Sequence, residues 1–124
     1  MEYDILFIIG LVFIIAGILR TKSKSTDEEV KTLYRQSARY AVASLQDDSD
    51  VIRTLHANYA MGYLMATKDI VNDTDFERIT GVDRIAFENR IAGIQDVATK
   101  RLVRDRPELV PLNDKILLEA IYSA

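Results

Sequence analysis

An uncharged apolar run near the start of the chain constrains the fold more than any other feature. Ile5 to Leu19 (ILFIIGLVFIIAGIL) is fifteen residues long and contains no charge and no hydrogen-bonding side chain. As an α-helix it covers about 22 Å, against about 30 Å for the hydrocarbon core of a bilayer. Tyr3 and Arg20 extend this span, because each places a polar tip among headgroups while its apolar part stays in lipid. The run predicts a short membrane anchor that suits a thin bilayer of the endoplasmic-reticulum type.

The large apolar residues of this run are the predicted lipid-facing side chains. Each Ile, Leu, Val or Phe contributes about 0.3 to 0.6 kcal/mol to insertion at a helix centre, so the sum reaches several kcal/mol. These anchor residues are Ile5, Leu6, Phe7, Ile8, Ile9, Leu11, Val12, Phe13, Ile14, Ile15, Ile18 and Leu19.

A cleaved signal peptide and a buried core helix are the alternatives for a run of this length. A signal peptide normally begins with basic residues, whereas this sequence begins MEYD and has no convincing small-x-small cleavage site after the run. Arg20, Lys22 and Lys24 follow the run, and positive residues favour the cytoplasmic side. We expect residues 1–20 to anchor a single-pass protein whose N-terminus is lumenal and whose C-terminal domain is cytosolic.

Composition limits what the remaining hundred-odd residues can do. The chain has no cysteine, which excludes disulfides, thiolate metal sites and a cysteine nucleophile and suits a reducing compartment. The net charge of −3 falls to −2 without residues 1–20, so nucleic acid is an improbable partner. No glycine-rich phosphate loop, nucleophile elbow or HExxH motif is present. The sequence therefore predicts neither an enzyme nor a cofactor, a metal or a small-molecule substrate.

Helical spacing and capping signals predict an all-α domain over residues 26–124, joined to the anchor by a polar basic spacer at 21–25. Ser25 or Thr26 has capping-box spacing to an acid and predicts a first helix with an apolar stripe up to Leu45. Ser49 or Asp50 is expected to cap a second, central helix, and Asp83 a long third helix. Two short helices complete the domain, at 75–80, ended by Gly81, and from Asn113 onward. The predicted fold is an N-terminal transmembrane helix followed by a bundle of three main and two short helices.

The break between the last two helices is predicted from proline. Pro107 cannot continue a helix and restricts the residue before it, so the third helix is expected to end at Arg106. Residues 107–111 are then an irregular or extended connector.

His56 and a cluster of aspartates are the residues with the most obvious chemistry. His56 can be a general base or a pH sensor, but the favoured interpretation is a hydrogen-bonded core histidine without a nucleophile or metal partner within one turn. Asp47, Asp48 and Asp50 lack the alternating ligands, central glycine and twelfth-position glutamate of a calcium loop. They are interpreted as turn and helix-capping residues.

Two features are candidates for contact with a partner. Tyr40 falls off the predicted inward stripe of its helix and is expected to face another protein, where tyrosine is common. Lys100, Arg101, Arg104 and Arg106 form a basic patch at the end of the long helix, with Arg84 and Arg90 upstream. Phosphate, lipid headgroups or an acidic protein surface fit such a patch, and a solvated helix end with dipole-compensating cations is the simpler alternative.

Residues 35–70 carry a resemblance to a known group of proteins. The run LHANYAMGYL, Leu55 to Leu64, within RQSARYAVASLQDDSDVIRTLHANYAMGYLMATKDI resembles short conserved proteins of large nucleocytoplasmic DNA viruses such as the chloroviruses. ITGVDRIAFENRIAGIQDVATKR, residues 79–101, extends it more loosely, so that about half of the chain is covered. The resemblance implies a virion with an internal membrane beneath an icosahedral shell.

The anchor, the helical head and the resemblance together predict a structural role. The expected function is that of a minor capsid-type protein that links an internal viral membrane to capsid proteins through protein contacts. The alternative is an accessory single-span subunit of a cellular membrane complex. A weaker third hypothesis is a tethered module that binds nucleic acid or lipid through residues 100–106.

Overall fold

One continuous helix joins the apolar run to the bundle. In the computed structural model, which describes residues 2–109 and 115–123, helix α1 spans Glu2–Gln46, 45 residues, or about 67 Å at 1.5 Å per residue. The prediction of a separate helix starting at Ser25 or Thr26 was wrong. The spacer at 21–25 holds no proline or glycine, and the Thr21 hydroxyl donates to the carbonyl of Gly17 at 2.9 Å within the helix. The spacer therefore does not separate two helices.

Side-chain caps define the next two helices. Helix α2 spans Asp50–Ile70, and Ser49 caps it by accepting from the Ile52 amide, as predicted. Helix α3 spans Asp73–Thr80 and ends at Gly81, whose φ of 74° places it in the left-handed region that glycine tolerates. It begins two residues earlier than predicted, because Asn72 is the cap and accepts from the Asp75 amide at 2.8 Å.

The long helix α4 spans Arg84–Asp105, and Asp83 caps it as predicted by accepting from the Ala86 amide at 2.7 Å. Arg106 ends it, immediately before Pro107. Residues 107–109 of the connector, which was predicted to be irregular or extended, form a 3₁₀ turn, Pro107–Leu109. Residues 110 and 111 of the connector lie outside the described residues. Helix α5 spans Lys115–Ser123. Its predicted start at Asn113 lies outside the described residues.

Helix α2 is the centre of the bundle and packs against both α1 and α4. Its α4 contacts show that the two helices are antiparallel, since Thr54 lies near Ala98 at one end and Lys68 pairs with Glu88 at the other. The described part of the chain is all helical and contains no strand, which confirms the predicted fold class. The buried apolar residues are Val30, Ala41, Ala57, Ala60, Leu64, Phe76, Ile91, Ile94 and Ala98.

Small side chains bring α1 and α2 together. Ser37 and Ser44 are buried, and their hydroxyls donate to the carbonyls of Ala60 at 2.7 Å and Arg53 at 2.8 Å. A stripe of serine and alanine permits close approach of two backbones but buries little apolar surface. Larger residues of the predicted apolar stripe of α1 lie outside this contact with α2: Val42 is 52% and Leu45 58% exposed.

The bundle has two distinct ends along α1. Helix α3 packs against α1 near the apolar run, where Arg78 pairs with Asp27 at 3.3 Å. The start of α2 and the C-terminal part of α4 lie together at the other end, since the Thr54 hydroxyl lies 3.4 Å from the carbonyl oxygen of Ala98. We call these the proximal and the distal end, according to their distance from the apolar run.

Candidate functional site

The apolar run is uncovered along its whole length. Its twelve large apolar side chains are each between 46% and 74% exposed, and no described element packs on them. This excludes the alternative that the run is a core helix of its own bundle. By length and composition, α1 is a helix that can cross a membrane.

Tyr40 lies in an aromatic cluster at the α1–α2 contact. Its ring stacks on Tyr63 at 5.6 Å with an interplanar angle of 8°, and meets Tyr59 edge-on at 5.3 Å. The side chain is half-buried and packs against the core. The expectation that Tyr40 falls off the inward stripe was therefore wrong, while its contact with a partner protein stays a prediction.

His56 belongs to the same cluster and has a partner that its sequence neighbours do not reveal. Its Nδ1 lies 2.5 Å from Oδ2 of Asp47, in the α1–α2 turn, and its ring lies 5.5 Å from Tyr40. Both side chains of the pair are about one quarter exposed. His56 is thus hydrogen-bonded, as interpreted from the sequence, but it is half-buried rather than fully in the core. The pair joins the second turn of α2 to the preceding loop.

The acidic loop residues act locally. Asp50 pairs with Arg53 at 2.6 Å, and the Arg53 guanidinium also donates to the carbonyl of Asp47. Within the described ranges, no group of three or more His, Asp or Glu side chains could hold a metal ion.

The predicted basic patch at the distal end is partly neutralised by its own neighbours. Arg104 pairs with Asp105 at 2.8 Å and Arg106 with Glu108 at 2.5 Å. The Arg106 guanidinium lowers the pKa of Glu108 below its ordinary value, and the hydrogen bond from Arg104, helped by the charge of Arg101, lowers the pKa of Asp105. Lys100 is half-buried and Arg101 is exposed. The patch is therefore less positive than its sequence indicates.

The two upstream arginines have different environments. Arg84 is buried and donates to Asp73 and, at 2.8 Å, to Glu88, while its Nη1 has no partner. It joins the first residue of α3 to α4. Arg90 is exposed and lies at the rim of a cleft between α1 and α4.

This cleft was not predicted from the sequence. Leu45 lines it from α1, and Ile94 and Val97 line it from α4 between Arg90 and Arg101, with a volume of about 120 Å³. We call it the arginine cleft. The sequence does contain a signal for the α4 side of the cleft. Residues 90, 94, 97 and 101 are separated by four, three and four positions, and this spacing places them on one face of a helix. Their α1 neighbour comes from tertiary packing.

Comparison of the chain with protein-family models, with curated proteins and with solved structures finds no match.

Proposed function

We propose that this protein is a structural linker: α1 crosses a membrane, and the bundle is held at a fixed distance from it to bind another protein layer. The observation that carries the proposal is the continuity of α1 from the apolar run into the core of the bundle. A flexible spacer would let the bundle explore all orientations, whereas a continuous helix gives it one. A continuous, rigid helix of this kind is suited to joining two parallel surfaces.

The dimensions support this role. From Arg20 to Gln46 the helix extends about 39 Å at 1.5 Å per residue. The basic patch at residues 100–106 is at the distal end, so it faces away from the membrane that holds α1. Its partner is therefore better sought in an opposing protein layer than among the headgroups of the same bilayer.

The resemblance of residues 35–70 and 79–101 to proteins of large DNA viruses supplies a setting for the linker. In that setting the opposing layer is a capsid shell and the membrane is the internal membrane of the virion, so the protein is of the minor capsid type. The N-terminus then lies on the lumenal side and the bundle faces the shell. The charges flanking the run support this orientation, with acids before it and Arg20 after it.

One observation favours the alternative of an accessory subunit in a cellular membrane complex. Gly10 and Gly17, seven residues apart, share a helix face, and a Cβ at either position would meet nothing within 4 Å. Such a face permits close approach of a second membrane helix. The anchor would then pack between the helices of larger subunits.

Cross-linking mass spectrometry on the native membrane-bearing particle distinguishes the two functions. Lys100 at the distal end is expected to link to shell proteins, whereas Lys68, which pairs with Glu88 toward the proximal end, is expected to link to membrane proteins or to none. Lys31 and Lys115 provide two further reporters. Links from all four lysines only to subunits of a membrane complex would overturn the linker and establish the accessory subunit.

A further inference from the structure

Four exposed arginines of the bundle, two on α1 and two on α4, form no ion pair with the described residues. Arg35, Arg39, Arg90 and Arg101 are exposed, and no described carboxylate lies within 4.0 Å of their nitrogens. Arg53, Arg78 and Arg84, in contrast, are each paired with an aspartate. A domain with net negative charge thus carries exposed, unpaired guanidinium groups beside two surface features: Arg90 and Arg101 line the arginine cleft, and Arg35 and Arg39 line a groove along α1.

The surface between these arginines is apolar. Leu45 is 58% and Val97 56% exposed, and both line the arginine cleft. Val42, one turn before Leu45, is 52% exposed and lines a shallow groove along α1 together with Arg35 and Arg39. Exposed aliphatic residues flanked by arginines on both helices form an amphipathic surface rather than a uniformly solvated one.

The chemistry of this surface selects among occupants. Guanidinium groups form their strongest hydrogen bonds with carboxylates and phosphates. The lining of the arginine cleft contains Leu45, Ile94 and Val97 and no aromatic ring on which a nucleobase could stack, which disfavours single-stranded nucleic acid. Aliphatic contacts in the floor require a partner that is apolar as well as acidic.

We propose that the arginine cleft binds an acidic amphipathic segment of a partner protein, whose aliphatic side chains contact Leu45 and Val97 and whose carboxylates pair with Arg90 and Arg101. This inference rests on the proposed function, for which it names the partner chemistry. Arg90, Val97 and Arg101 span three turns of α4. This spacing fits a partner helix whose acidic residues recur every three or four positions and therefore share one face.

The test uses the full chain in lipid nanodiscs and a fluorescent 21-residue peptide with leucines on one helical face and glutamates on the flanks. Fluorescence anisotropy is expected to show saturable binding that weakens at high salt. Charge reversal in the double variant R90E/R101E should weaken binding about tenfold or more, as expected for two exposed rim pairs. Leu45→Ser should weaken it without changing the salt dependence.

Three controls make the result decisive. The charge reversal K31E, on α1 about four turns before Leu45 and not among the residues that line the cleft, should leave the affinity unchanged. Circular dichroism should show that all variants keep the helical content of the parent. A peptide of the same composition with its leucines scrambled around the helix should bind at least tenfold more weakly. Equal loss of affinity in K31E and R90E/R101E would overturn the proposal, as would tighter binding of a single-stranded oligonucleotide than of the peptide. Neither outcome affects the membrane linker, which the cross-linking experiment tests separately.

Discussion

The hydroxyl of Ser37 in α1 donates a buried hydrogen bond of 2.7 Å to the backbone carbonyl of Ala60 in α2. This bond crosses the middle of the α1–α2 contact, where both residues are fully buried. Because a serine side chain is short, a bond from it to the backbone of the other helix requires α1 and α2 to lie close together at this position.

Substitution of Ser37 tests this close approach. Ser37→Ala should destabilise the bundle by about 1 kcal/mol, because one buried hydrogen bond is lost. Ser37→Leu should cost more, about 1 to 3 kcal/mol, because the added methylenes separate the helices. Urea unfolding in detergent, followed by circular dichroism, measures both. The exposed Ser25→Ala is the matched control and should lie within about 0.5 kcal/mol of the parent; an effect of Ser37→Leu no larger than this would contradict the packing.

The aromatic cluster predicts a difference between two changes at Tyr40. Tyr40→Ala should destabilise the bundle by about 2 kcal/mol, since a half-buried ring loses its stacking on Tyr63 and its edge contact with Tyr59. Tyr40→Phe keeps the ring and should cost less than about 0.5 kcal/mol. The chain has no tryptophan, so near-ultraviolet circular dichroism reports the tyrosines directly. Similar losses for both variants would show that the hydroxyl, and not ring packing, matters.

Arg84 should be the arginine whose loss costs most. Arg84→Met removes the links to Asp73 and Glu88 but leaves those carboxylates partly solvated, at 57% and 29% side-chain exposure. The expected cost is about 1 to 3 kcal/mol, below that of breaking a fully buried pair. Arg90→Met, on the same helix but exposed, should change stability by less than about 0.5 kcal/mol. Equal effects in thermal unfolding would be inconsistent with the environment of Arg84.

The distal end should respond to acid. Because Arg106 lowers the pKa of Glu108 from its ordinary value of 4.5, the pair contributes stability that is fully present above about pH 4.5 and is lost as the pH falls through the lower, folded pKa. The contribution is small, since both side chains are more than half exposed. Arg106→Gln should move the pKa of Glu108 upward, toward 4.5, in an NMR titration of its side-chain carboxyl. An unchanged pKa would show that Arg106 is not its cause.

Local signals in the sequence predicted much of the fold, and long-range contacts account for what they missed. Ser49, Gly81 and Asp83 each act on backbone groups within a few residues, so their caps and the end of α3 could be assigned without tertiary structure. The continuity of α1 could not, because the residues at 21–25 are compatible with both a helix and a spacer, and Ser25 has capping spacing without acting as a cap.

The candidate sites also divide into features that local sequence predicts and features that depend on contacts between helices. The apolar run is recognisable from composition alone, since its length and hydropathy need no partner. The pairing of His56 with Asp47, nine residues away, and the arrangement of Leu45 beside Arg90 depend on how helices pack. The prediction that Tyr40 falls off the inward stripe of α1 was wrong because that stripe was drawn through the large aliphatic residues. The face of α1 that contacts α2 is instead made of serines and alanines.

The most direct test of the linker is the continuity of α1 in a bilayer. Cysteines introduced at Thr21 and Gln46 give unique spin-label sites, because the chain contains no other cysteine. Electron double resonance of the full chain in nanodiscs should give a narrow distribution near 38 Å, the length of 25 helical residues, and the same pair with Ser25→Pro should give a broader or shorter one. A distance distribution in the parent as broad as that in the proline variant would mean that a flexible segment connects the bundle to the membrane anchor. That result would contradict the proposed rigid linker.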